Sequence, residues 1–209
     1  MGTLYIPNDV VVQGNLAYTG TIQEIPRTSL AQNTIQSYVY NLANLRVHDA
    51  PQTVLPGTSA NDDLGLYGTT FGTDVLYVAT YDVKNAGSLT FYARGMFGLP
   101  PEYDAGQTAQ IRVKGGMKTT VASVTATVDL EAYLSDKFGA VSGSDLVTTA
   151  ATTINSLTPA NKDFTLTATN LAPGEWIDFR IKVAVNDSGT GTAVIAAIGT
   201  VEFLLDIRG

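Results

Sequence analysis

The sequence has no cysteine among its 209 residues, which excludes disulfide bonds and thiolate metal sites. Histidine occurs once, at His48, so the sequence predicts neither a zinc site nor any other metal site. Charged residues are also scarce, at 15% against roughly 25% in ordinary domains. No apolar run approaches the roughly 20 residues that a membrane helix needs. We therefore expect a globular chain without a membrane partner.

Basic residues are too few and too dispersed for a nucleic-acid partner. The net charge is −7 and the isoelectric point is near 4.5, whereas binding to phosphates needs clustered lysine and arginine. The densest basic stretch contains Arg112, Lys114 and Lys118, and strand alternation puts the first two on a solvated face. The N-terminal residues show no secretory leader. We expect a protein that is made soluble in the cytoplasm of its host.

Several segments alternate apolar and polar residues, which is the pattern of a strand with one buried and one solvated face. The alternation is clearest in residues 121–134, 163–169, 175–185 and 201–208. Further strands are predicted at residues 45–49, 75–83, 89–96 and 107–114. These make about eight antiparallel strands, which predicts an all-β jelly-roll β-sandwich. An immunoglobulin-like sandwich is the alternative, although its strands are shorter and more regular.

Two long polar stretches, residues 50–72 and 135–161, are predicted to be loops. The nearly continuous apolar residues at 192–199 predict that the last strand extends backwards, with a bulge at Gly199. The apolar residues of that strand also predict a central position in its sheet.

The first 40 residues differ in pattern from the rest of the chain. Pro7, Gly14 and Gly20 divide them into apolar pieces too short to bury themselves as a domain. The sequence therefore predicts an extended N-terminal arm, residues 1–40, that docks on another subunit or protein, followed by a β-sandwich body, residues 41–209. A strand packed on its own domain is the alternative. The residues expected to make the docking contacts are Leu4, Tyr5, Ile6, Val10, Val11, Val12, Leu16 and Tyr18.

The sequence contains no convincing catalytic set of side chains. Asp49 follows His48, but neighbours on a strand point to opposite faces, so this aspartate cannot orient the imidazole of a Ser-His-Asp triad. Glu102 and Asp104 flank one residue in a turn, whereas a glycosidase needs two carboxylates that face each other. We expect no catalytic residues and no small-molecule substrate.

Three aspartates, Asp62, Asp63 and Asp74, lie in or beside the long loop at residues 50–72. Oxygen-rich loops can hold calcium, but this spacing does not match an EF-hand. The sequence predicts a solvated turn here, and it predicts no cofactor for the chain.

Aromatic side chains are the remaining candidates for a binding site. Trp176 and Tyr133 fall on the solvated faces of their strands, and Tyr103 lies in a proline-rich turn. Sugar-binding β-sandwiches often use exposed rings as stacking platforms, which makes Trp176 and Tyr103 candidate glycan contacts. Packing under a loop or in a subunit contact is the favoured interpretation for Trp176.

Four segments resemble a set of tailed-bacteriophage virion proteins: LYIPNDVVVQGN at residues 4–15, LPGTSANDDLGL at 55–66, LPPEYDAGQ at 99–107 and VEFLLDI at 201–207. On these segments the chain is similar to capsid decoration, or cement, proteins with a jelly-roll body. The resemblance implies a homotrimer on the phage head that binds the major capsid protein, with terminal arms that embrace the capsid lattice.

Two functional hypotheses follow. The first is a structural virion protein, not an enzyme, that decorates and stabilises the capsid by bridging major capsid protein subunits. The alternative is a carbohydrate- or receptor-binding module of a phage fibre that uses Trp176 or Tyr103. A glycan-active enzyme is a third and weaker hypothesis, because the catalytic groups are missing.

Overall fold

Two antiparallel β-sheets make up the described part of the chain. The computed structural model describes residues 35–208 except residues 69, 122–123, 136–137 and 190, and these residues belong to one unit, Asn33–Gly209. Within them there is no α-helix, and one 3₁₀ turn occurs at Leu42–Asn44. The predicted all-β fold of two antiparallel sheets is therefore confirmed. The described residues also hold no helix long and apolar enough to cross a membrane.

The described residues form eleven strands, of which five are long. The strands are β1 (Ile35–Tyr40), β2 (Gly65–Tyr67), β3 (Tyr77–Ala79), β4 (Gly87–Gly98), β5 (Ala109–Met117), β6 (Val124–Ser135), β7 (Val141–Ser142), β8 (Thr152–Thr153), β9 (Ala160–Thr165), β10 (Trp176–Asp187) and β11 (Ala196–Asp206). The first sheet has the order β2-β3-β11-β5-β9, and β1 pairs with the second half of β11. The second sheet has the order β4-β10-β6, with β7 and β8 both paired to β6. As expected, β11 is central.

The core lies between the sheets and is built by the alternation in the sequence. Every second residue of β6 from Val124 to Ala132 is buried, whereas the residues between them are partly or fully exposed. An aromatic cluster joins the two sheets at one end of the core. Its ring centroids are 3.8 Å apart for Phe97 and Phe203, 5.3 Å for Phe179 and Phe203, and 5.1 Å for Tyr40 and Phe179.

The sequence located the long strands well and the short ones poorly. The last strand does extend backwards, and its register with β5 shifts between Ile198 and Thr200, on either side of the predicted bulge. The strand expected at residues 45–49 is wrong: only Arg46 forms a bridge there, because the chain enters it from a 3₁₀ turn and bends at His48. The two predicted loops contain β2, β7 and β8, which raises the strand count above the predicted one.

The predicted arm lies mostly outside the described residues. All eight docking residues named above fall before residue 35, so the docking prediction stays a prediction. The last six residues of the predicted arm, Ile35–Tyr40, pair with β11 along their whole length and belong to the first sheet.

Candidate functional site

The solvent-facing side of the second sheet carries rows of charged and aromatic side chains. β10 pairs with β4 and β6 without a register shift, so residues opposite one another form rows across the sheet. Along β4 and β10, successive side chains point alternately into the core and to the outside of the sheet. Three consecutive outward rows are Met96–Asp178–Tyr133, Arg94–Arg180–Glu131 and Tyr92–Lys182–Asp129.

Opposite charges in these rows are paired across neighbouring strands. Lys182 Nζ lies 3.6 Å from Asp129 Oδ2. Arg180 pairs with Glu131, and its guanidinium lies 4.8 Å from the centroid of the Tyr92 ring. Because these groups are partly exposed, each pair stabilises the fold by about 1 kcal/mol at most. Their main effect is to hold this face in one arrangement.

The pair formed by Arg94 and Asp178 is less accessible to water. The Asp178 side chain is 9% exposed. Arg94 Nε donates to Asp178 Oδ1 at 2.8 Å, and Arg94 Nη2 donates to Asp178 Oδ2. The hydrogen bonds to Asp178 raise the pKa of Arg94 above its ordinary value, and burial opposes this rise. A bidentate arginine–carboxylate pair of this kind has a fixed orientation before any ligand is bound.

A cleft of about 500 Å³ opens beside this ion pair. Its apolar lining comes from Trp176, Met96 and Val141, whose exposed fractions are 45%, 46% and 48%. Arg94 and Asp178 supply the charged part of the lining. The cleft thus combines accessible apolar side chains with fixed hydrogen-bonding groups.

The Trp176 ring lies over a glycine in the neighbouring strand. Trp176 begins β10 directly opposite Gly98, the last residue of β4. A Cβ atom at residue 98 would lie 3.4 Å from Trp176 Cε2 and 3.5 Å from Cζ2. The indole therefore covers the glycine at van der Waals distance.

Of the two predicted glycan contacts, only Trp176 lies at a surface that a ligand can reach. The Tyr103 ring is fully buried, and its hydroxyl donates to Gln107 O at 2.6 Å. Burial raises the pKa of Tyr103 to about 12, with further contributions from Asp104 and Asp206. The prediction of Tyr103 as a glycan contact is wrong, because a buried ring with a satisfied hydroxyl has no face for a sugar.

The carboxylates of the proline-rich turn serve separate structural contacts. Glu102 Oε1 accepts a hydrogen bond from the Tyr38 hydroxyl at 2.9 Å. Burial is the largest cause that raises the pKa of Tyr38 to about 12, and Glu102 adds to it. Asp104 Oδ1 instead accepts from Arg208 Nε at 3.1 Å. The two acids therefore tie this turn to β1 and to the residues after β11.

The structure also brings together a group that the sequence did not predict. His48 Nε2 lies 3.7 Å from Asp62 Oδ2, and His48 Nδ1 lies 3.6 Å from Asp63 Oδ1. The imidazole packs against Tyr92 with ring centroids 4.5 Å apart. The sequence predicts His48 on a strand, at residues 45–49, and the aspartates in a solvated turn. The spacing of these residues in the sequence does not indicate the cluster. The segment of His48 and the segment of the two aspartates come together because each of them pairs with β4.

No protein-family model matches the sequence, and no curated protein matches it. Among solved structures, the chain is similar to a xylan-binding module, CBM15, at 13% identity and a TM-score of 0.40, over 84% of this chain and 99% of that one. It is also similar to the C-terminal family 22 carbohydrate-binding module of Clostridium thermocellum Xyn10B, at 11% identity and a TM-score of 0.40, over 85% and 98% of the two chains.

A third similar structure comes from infectious bursal disease virus, Gx strain. The identity is 14% and the TM-score is 0.37, over 83% of this chain and 32% of that one. At these scores the similarity concerns the arrangement of strands, and no residue of the present chain takes a role from it.

Proposed function

We propose that the protein binds carbohydrate, without cleaving it, in the cleft beside Trp176. The observation that carries the proposal is an exposed indole next to the prearranged Arg94–Asp178 pair. Sugar rings have apolar faces and hydroxyl edges, so they fit a surface where an aromatic ring stands beside fixed polar groups.

The size and lining of the cleft support a short glycan segment as ligand. A volume of about 500 Å³ falls within the range of roughly 300–1,000 Å³ that is typical of small-ligand sites. The half-exposed side chains of Trp176, Met96 and Val141 present apolar area to water. A ligand that covers this area gains hydrophobic free energy.

The charges in the cleft favour binding over bond cleavage. Asp178 is the one carboxylate among the described residues that line it, and both of its oxygens accept hydrogen bonds from Arg94. A glycosidase of the common type needs two carboxyl groups, one of them protonated. Asp178 has no second carboxylate opposite it among the described lining residues, and its two oxygens are already occupied by Arg94.

The proposal can be tested with the protein's single tryptophan. Because Trp176 is the only one in the chain, its fluorescence reports on the cleft directly. Glycans selected on an array should change this emission in a saturable way. Trp176→Ala should then weaken binding by about 30-fold or more in calorimetry, the size expected for a central aromatic contact worth about 2 kcal/mol.

Phe71→Ala is the matched control for this experiment. Phe71 is fully exposed and does not line the cleft, so its loss should leave the affinity unchanged. Circular dichroism should confirm that both variants stay folded. Absence of any glycan signal at high protein concentration, or equal affinity of the wild type and Trp176→Ala, would reject carbohydrate binding in this cleft.

Capsid decoration is the second candidate function, and one observation favours it. On β1, the strand that continues the predicted arm, Ile35 and Val39 are 51% and 72% exposed. Exposed apolar side chains on one strand suit a contact with another protein. We propose that this surface of β1, together with the arm, holds the subunits of a homotrimer together or binds the major capsid protein.

Deletion of residues 1–20 tests the second candidate separately from the first. The truncated protein should keep its β-rich circular dichroism spectrum and lose binding to purified phage heads, because the arm would supply much of the contact. Binding is measured by co-sedimentation with the heads. Retention of full head binding by the truncated protein would count against the arm as a docking element.

A further inference from the structure

Two segments of the chain, one at Arg46 and one at Asp62, both pair with the outer edge of β4. Arg46 and Arg94 exchange both of their backbone hydrogen bonds, at 2.8 and 3.0 Å. Tyr92 N donates to Asp62 O at 2.7 Å. His48, which follows the first of these segments, is thereby placed beside the second. Backbone contacts to one strand therefore fix the side-chain cluster, whether or not it binds anything.

The cluster contains two buried polar atoms that face each other without a hydrogen bond. His48 Nδ1 and Asp63 Oδ1 are fully buried, lack a hydrogen-bond partner and lie 3.6 Å apart. Hydrogen bonds between nitrogen and oxygen have lengths of about 2.7–3.2 Å. Two ligand atoms on a tetrahedral ion with bonds of about 2.0–2.1 Å are roughly 3.4 Å apart. The observed separation is therefore closer to that of two ligands of one ion.

We propose that His48, Asp62 and Asp63 bind a divalent first-row transition-metal ion, with Zn²⁺ as the best fit. One ligand atom from each residue lies within 4.8 Å of the other two. Asp63 faces Nδ1 of His48 and Asp62 faces Nε2, so an ion at Nδ1 requires the half-exposed Asp62 side chain to turn toward it. Imidazole is a ligand for zinc and its neighbours, whereas Ca²⁺ and Mg²⁺ prefer sites made of oxygen alone.

The proposed ion would fasten a long loop to the second sheet. The loop between His48 and Asp62 begins and ends at the edge of β4. The ion would link its two ends. Arg94, on the same strand edge, lines the cleft. The site is independent of carbohydrate binding, because none of its three ligands lines the cleft.

Metal binding can be tested on the full, untagged chain after treatment with a chelator and dialysis. We expect one Zn²⁺ per chain by equilibrium dialysis with elemental analysis. We also expect Tm to rise by about 5 °C when the free ion exceeds Kd a hundredfold, because the ion binds the folded state only. Co²⁺ should bind the same site and give the visible absorption of a coordinated cobalt ion.

Asp63→Asn and Asp62→Asn should each weaken Zn²⁺ binding by tenfold or more, since both keep the shape of the side chain while removing a charged ligand. Asp62 is exposed enough for its variant to fold even if the other does not. Asp104→Asn is the matched control: it changes an exposed aspartate outside the cluster that pairs with Arg208, and it should bind the ion as the wild type does. Uptake of no ion, unchanged uptake by both cluster variants, or saturation by Ca²⁺ with no preference for Zn²⁺ would overturn the proposal.

Discussion

Replacing Phe203 with alanine is expected to lower the free energy of unfolding by about 3–5 kcal/mol. The ring is fully buried on the central strand β11. It stacks on Phe97 of the opposite sheet with centroids 3.8 Å apart and meets Phe179 edge-on at 5.3 Å. Its removal leaves a cavity between two sheets that cannot easily close. Urea unfolding followed by circular dichroism should show a lower midpoint at an unchanged slope.

Phe71→Ala is the control for the same chemical change at a fully exposed site. This variant should stay within about 0.5 kcal/mol of the wild type, as surface substitutions usually do. Similar losses at the two positions would mean that the cluster around Phe203 does not join the sheets in the way described.

Replacing Gly65 with alanine is expected to destabilise the protein by about 3 kcal/mol, at the upper end of what overpacking costs. A Cβ atom at residue 65 would lie 2.2 Å from Ser59 N and 2.8 Å from Thr58 C. Both are backbone atoms, so neither can swing aside as the end of a side chain would. The shift would also break the hydrogen bond from Ser59 N to the Tyr67 hydroxyl, which is 3.0 Å long. Thermal unfolding would measure the loss.

Gly57→Ala provides the matched control from the same loop. A Cβ atom there would have nothing within 4 Å, so stability should change by no more than about 0.5 kcal/mol. If Gly65→Ala unfolds at the same temperature as Gly57→Ala, the close approach of the loop to β2 is not a constraint on the fold.

The long strands could be predicted because their signal is local. In β6 and β10 the polarity of each residue indicates whether it faces the core or solvent. The alternation continues over twelve residues, which makes the prediction of a strand strong. The two residues of β7 or β8 cannot carry such a pattern. β1 was missed for another reason: most of its residues are exposed, so its place in the sheet comes from its pairing with β11 and not from its composition.

The same distinction explains the outcome for the site residues. Trp176 was placed correctly on a solvated face because parity along β10 decides it. Tyr103 lies in a turn, where alternation gives no direction, and its hydroxyl satisfies a backbone carbonyl inside the fold. The neighbourhood of His48 and Asp63 arises because both segments bind β4. When two segments come together only because each pairs with a third strand, their separation in the sequence does not predict their contact.

The pairing of β1 with β11 joins residues that are far apart in the chain, as the hydrogen bond from Ser37 to Glu202, 165 positions away, illustrates. During synthesis on the ribosome, β1, β3 and β5 must wait for β11 before they can become neighbours in one sheet. Closure over such distances makes folding slow and leaves unpaired edges accessible to other nascent chains in the meantime. High-level production should therefore benefit from slower translation at lower temperature.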